Sequence, residues 1–148
     1  MPQSTLFAMM FVAFAGALVS VQAPMNAALG RGIGSPMAAA AVSFAVGLVL
    51  LVAVVAIIGD TPAFLRLNTV SPWLLLGGTM GAIFVFSSLW AVPILGVLTT
   101  TILVILGQLF AAVILDYFGV FGIEPRDISL TRLLAVALVA AGAVLSQL

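Results

Sequence analysis

The chain has 148 residues, 65% hydrophobic and 5% charged, with a mean hydropathy of +1.44 and zero net charge. A soluble domain carries about a quarter charged residues, so this chain has too little charge to cover a water-facing surface. A net charge of zero leaves no basic footprint for nucleic acid. The absence of Cys and His removes disulfides, thiolate chemistry and the commonest metal ligands.

The apolar runs read as membrane-spanning helices of ~20 residues each. The first extends from about Thr5 to Ala23, with an apolar continuation to Leu29. Its small-residue end resembles a signal-peptide cleavage site. No Lys or Arg precedes Arg31, however, and the run is long for a signal sequence, so it reads as a retained helix. The second span covers Pro36 to Ile58, with Ser35 as N-cap and Pro36 at the first helical position. Thr61-Pro62 repeats that device and predicts a short interfacial turn, and Ser71-Pro72 predicts the start of the third span. From Pro72 to Asp116 the tract is nearly unbroken and, as one helix, would be ~65 Å long. It must turn back, and Pro93 and Gly96 in "AVPILG" supply the break between spans three and four. Ser129 caps a fifth span from about Arg132 to Leu148. The expected fold is all-α, one polytopic domain over residues 1–148 with five transmembrane helices.

Five crossings place the N-terminus and the loops 59–71 and 117–131 on one side. Arg66, Arg126 and Arg132 lie there, against Arg31 alone on the other. The positive-inside rule then favours a cytoplasmic N-terminus by a small margin, so that both orientations are expected in the membrane.

Polar residues inside apolar runs are the candidates for function. Gln22 and Asn26 are four apart and share a helix face, with Pro24 between them leaving the Ser20 carbonyl without its helical donor. Two readings stand: the amides re-satisfy the backbone and bond a neighbouring helix, or they line a polar cavity of a transport path. Gln108 lies deep in the fourth span and needs a partner or water, and Asp116 follows eight residues later near the helix end. Ser87, Ser88 and Trp90 on the third span are candidates to join such a lining; Trp90 also suits an aromatic belt, as does Trp73. Gly77 and Gly81 form a GxxxG for close helix packing, and Gly16, Gly47, Gly107 and Gly142 add small surfaces on the other spans. With no His, no Cys and no acid pair inside a span, no acid–base or nucleophilic constellation exists, which argues against an enzyme. No cofactor or metal is expected.

The stretches "FAGALVSVQAPMNAALGRGIGSPMAAAAVSFAVG", "PWLLLGGTMGAIFV" and "GQLFAAVILDYFG" resemble the YdcZ-like family, the five-helix bacterial branch of the drug/metabolite transporter superfamily. The resemblance runs through essentially the whole chain. It implies an inner-membrane small-molecule transporter of ten helices, built from two five-helix units in opposite orientations. It extends more distantly to the four-helix small multidrug resistance exporters, whose first helix carries a glutamate. The first span here has no carboxylate, a departure that bears on proton coupling and cation binding.

The expected protein is therefore an antiparallel homodimer working by alternating access, with Gln22, Asn26 and Gln108 facing a central polar cavity. The alternative is a non-transporting membrane subunit whose polar residues only hold helices together. In an antiparallel pair, Asp116 of one copy falls level with Arg31 of the other, which predicts an interface or gating pair, since charges near a bilayer require partners or water.

Overall fold

The computed structural model describes residues 3–147. Every regular element among them is helical: α1 (Gln3–Ile33), α2 (Pro36–Ile57), α3 (Gly77–Leu95), α4 (Val97–Phe118) and α5 (Leu130–Leu145). Three 3-10 helices punctuate them at Thr61–Thr69, Pro72–Leu76 and Val120–Gly122. Four stretches, Ser4–Ile33, Pro36–Ile57, Pro72–Leu95 and Val97–Phe118, are long and apolar enough to cross a membrane. The fifth, α5, has 16 residues, or ~24 Å, and falls short of a ~30 Å hydrocarbon core. Of the five expected spans, four are helices of spanning length, and the fifth is a shorter apolar helix. Ser146 is its C-cap residue, with its Oγ donating to the Ala143 carbonyl at 2.8 Å. Residue 148, expected inside the fifth span, lies outside the described residues.

The chain divides into two compact units, Met1–Ile94 and Leu95–Leu148. In the first, α1 continues through Pro24, as the expected extension to Leu29 requires, and ends four residues beyond it at Ile33. Gly34 then adopts φ +74°, a left-handed turn that favours glycine, and its neighbour Ser35 caps α2 by accepting from the Ala38 N–H at 3.2 Å. The two helices approach closely at this turn. A Cβ on Gly30 would sit 3.3 Å from the Pro36 backbone, and Ala27, Ala39 and Ala40 are buried beside it. On α3, Val85 and Leu89 pack onto Ala27 and Ala40, so α1, α2 and α3 share one small core. Small residues at this core let the helix backbones meet, which is how helices associate where lipid is as apolar as leucine.

Two of the expected helix starts differ in detail. Asp60, not Thr61, occupies the N-cap of the Thr61–Thr69 segment, because the Asp60 carbonyl already accepts from Ala63 at 3.0 Å. Ser71 holds its N-cap position without a side-chain bond, and the chain makes one 3-10 segment before α3 begins at Gly77. The break after α3 falls at Gly96, with φ +80°, while Pro93 stays inside the helix.

In the second unit, α4 and α5 form an antiparallel hairpin pinned at both ends. At one end Asp116 and Arg132 make an ion pair of 3.2 Å. At the other, buried Thr99 donates to Ser146, with its Oγ1 3.2 Å from the Ser146 Oγ and 3.3 Å from the carbonyl. The connection is tight. Gly119 closes α4 at φ +59°, and a Cβ there would come within 2.5 Å of the Pro125 ring and 2.9 Å of the Ile123 carbonyl. That close fold lets the Arg126 N–H donate to the Asp116 carbonyl at 2.8 Å. Ser129, as expected, caps α5 by accepting from the Arg132 N–H.

Candidate functional site

Both amides of the first span turn to the same atom. Gln22 Nε2 donates to Ser43 Oγ at 3.3 Å and Asn26 Nδ2 donates to it at 3.1 Å. Neither amide bonds the backbone of α1, so the Ser20 carbonyl below Pro24 receives nothing from them. Ser43 lies seven residues into α2 and Asn26 seven residues before the end of α1, each ~10 Å from its helix end at the shared turn. A hydroxyl accepts two hydrogen bonds and donates one, so Ser43 has both acceptor positions filled and its own proton uncommitted.

Ser43 was not singled out from the sequence. The signal was present: it is the only hydrogen-bonding side chain in α2. An apolar helix 22 residues long retains a lone hydroxyl at a cost unless a neighbour uses it.

Beside this node lies a half-open cleft of about 290 Å³, lined by Gln22, Ser43, Phe44, Gly47, Leu48 and Leu51. The α2 residues Ser43, Gly47 and Leu51 recur every four positions and form one stripe, ~12 Å long, that runs away from the polar node. Gly47 forms the floor: a Cβ there would meet nothing within 4 Å. Phe44 makes a wall, and its ring also covers Gly81 of α3, whose Cβ would stand 3.4 Å from it. Gln22 is half-buried at the cleft, whereas Asn26 is 8% exposed and is not among its lining residues.

The remaining candidates are distributed as follows. Ser87 is exposed and donates to the Phe84 carbonyl at 3.0 Å, and Trp90 is exposed. Their neighbour Ser88 is buried with no hydrogen-bond partner for its Oγ. Gln108 is exposed on α4 and forms no side-chain hydrogen bond among the described residues. Gly77 faces open space, as do Gly16, Gly47, Gly107 and Gly142, so of the GxxxG pair only Gly81 carries a close contact in the chain. Arg31 is exposed and makes no ion pair among the described residues. Asp116 has its partner, Arg132, within its own chain, so the electrostatic requirement that pointed to Arg31 of a second copy is already met.

In the first unit, then, a polar point is set in an apolar cleft between apolar helices. The family model described as "Putative inner membrane exporter, YdcZ" matches residues 7–145. The chain belongs to the YdcZ family. No curated protein and no solved structure matches it. Membership in the YdcZ family agrees with the four apolar helices of spanning length and makes this a multi-pass inner-membrane protein of an exporter class, which is not an enzyme class.

Proposed function

We propose that this YdcZ-family protein is a small-molecule transporter of the drug/metabolite type, working by alternating access as an antiparallel homodimer with five spans in each copy. The observation that carries the reading is the cleft with Gln22 and Ser43 at one end of an otherwise apolar lining. Ligand pockets are mostly apolar, with a few placed polar groups, and ~300 Å³ is the lower end of their usual size. Gln108, an exposed amide within a 22-residue apolar helix, adds support for a second copy, because an unpartnered amide in hydrocarbon is costly. In the antiparallel pairing, Arg31 of one copy lies level with the Asp116–Arg132 pair of the other and completes a charged mouth. The N-terminus is cytoplasmic in the more populated orientation.

A second reading has one observation in its favour. Ser43 receives both amides, which is what helix glue in a non-transporting subunit does. Uptake of a metabolite mixture into proteoliposomes separates the two. Transport predicts at least one solute accumulated by the natural protein and lost with Gln22→Leu, while the variant still purifies as the same oligomer. Absence of any protein-dependent flux, or a variant that falls apart in detergent, assigns the node to glue.

The orientation is tested on a chain that has no native cysteine. A single Asn68→Cys reporter is expected to label from both sides of the membrane. Gly32→Lys with Ile33→Lys should shift the population toward the inverted form. Labelling from one side only, unmoved by the lysines, rules out dual orientation.

A further inference from the structure

We infer that the α1–α2 cleft accepts an uncharged, predominantly apolar solute carrying one neutral hydrogen-bonding group (a hydroxyl, carbonyl, amide or arylamine N–H), and excludes cations and anions. The inference rests on the transport reading and names the substrate class of the same site.

Charge is the first argument. Between Ser4 and Gly30, through all of α2, and from Gly77 to Ile94, the sequence has no Asp, Glu, Lys or Arg, and the chain has no His. The cleft is lined by one amide, one hydroxyl, a phenyl ring, a glycine and two leucines. An ion entering it would leave water with no counter-charge in reach, a step that is costly in a low-dielectric site unless the ion is paired. No group in the lining titrates, so the site itself cannot exchange a proton for its solute.

The hydrogen-bond inventory is the second argument. Ser43 has spent its two acceptor positions on Gln22 and Asn26 but retains its proton, and Gln22 retains its carbonyl oxygen and a second N–H. The node therefore offers both donors and an acceptor at one point, which suits a single neutral polar group. Beyond that point, ~12 Å of cleft along α2 offers only Phe44, Gly47, Leu48 and Leu51. The shape calls for a solute polar at one end and apolar along its body.

The rim gives the third. Leu48 and Leu51 are 62% and 65% exposed, so the apolar end opens laterally rather than onto a charged vestibule. A solute that already partitions into lipid meets such an opening from the bilayer.

Gly47 makes the inference testable. Because a Cβ there meets nothing within 4 Å, Gly47→Leu extends a side chain into the cleft, and Gly47→Ala serves as a mild control. The full-length protein in lipid nanodiscs is titrated with N-phenyl-1-naphthylamine, with its anionic sulfonate 1-anilinonaphthalene-8-sulfonate, and with a trimethylammonium derivative of the same ring system. Binding is scored as saturable fluorescence above that of empty nanodiscs and compared with Gly47→Leu, whose folding is checked by helical circular dichroism and size exclusion. The expected result is binding of the neutral probe at least about tenfold tighter than either charged one. Gln22→Leu with Ser43→Ala should weaken the neutral probe and leave the charged probes unchanged. Equal or tighter binding of either charged probe overturns the inference, as does neutral-probe binding that Gly47→Leu and Gly47→Ala leave untouched. A lipid chain or a helix of the second copy filling the cleft would give that last result. If no solute is transported but the neutral selectivity holds, the transport reading fails and the ligand class stands. Flux of a charged solute that survives Gly47→Leu does the reverse.

Discussion

Two residues control more of this structure than their size suggests. Ser43 is the common acceptor for Gln22 and Asn26, so Ser43→Ala removes two interhelical hydrogen bonds at once. Such bonds average ~0.6 kcal/mol in a membrane protein, and the pair is worth about 1 kcal/mol. A modest fall in thermal stability, equal to that of the Gln22→Leu, Asn26→Ala double variant and not additive with it, is the expected outcome of a melting series. Additivity would show that the three side chains do not form one node. Gly119 is the other. Its left-handed backbone costs any residue with a Cβ about 1–2 kcal/mol. Here the added methyl also meets Pro125 and the Ile123 carbonyl. Gly119→Ala should therefore destabilise the protein by more than the φ penalty alone, whereas Gly107→Ala, with open space around it, should leave the melting temperature unchanged or raised.

At the scale of elements, the α4–α5 hairpin depends on one contact at each end, and the Asp116–Arg132 pair can be weighed directly. Both side chains are about a third exposed, so the pair belongs with the weak surface bridges of about 0–1 kcal/mol rather than with buried ones. A double-mutant cycle of Asp116→Asn with Arg132→Gln should give a coupling in that range. The same cycle with Arg31→Gln reads the proposed contact between copies, and a coupling there that vanishes on dilution to monomer locates it at the interface. Much of this architecture was legible in the sequence. Ser35, Pro36, Ser129 and Gly96 mark helix boundaries because capping and left-handed turns restrict residue choice locally. The continuation of α1 past Pro24 was legible as far as Leu29 but its end at Ile33 was not, since how far a membrane helix runs beyond a proline depends on packing against α2. Nor was the pairing of Asp116 with Arg132. These residues are sixteen apart, and the hairpin that joins them is set by Gly119 and Pro125 acting together. The Gln22–Asn26 face was visible from its spacing, but its acceptor was not, because no periodicity links Ser43 to a helix before it.

For the molecule as a whole, the most informative quantities are two helix lengths. With 31 residues, α1 measures ~46 Å, while α5 with 16 residues measures ~24 Å. A typical hydrocarbon core is ~30 Å thick. With α5 as the proposed fifth span, one helix is longer than such a core and another is shorter. A helix that is too long relieves its mismatch by tilting or by thickening the lipid around it, and one that is too short does so by thinning that lipid. The same chain asks for both responses, so its strain has a minimum at an intermediate thickness and rises on either side. Reconstitution into monounsaturated phosphatidylcholines of about 14 to 22 carbons per chain should give a thermal stability that peaks inside that series. A stability that climbs or falls steadily across it would mean that only one of the two helices feels the membrane's edge. The protein is then expected to act as a gauge of the bilayer around it, its stability set by the thickness of the lipid it sits in.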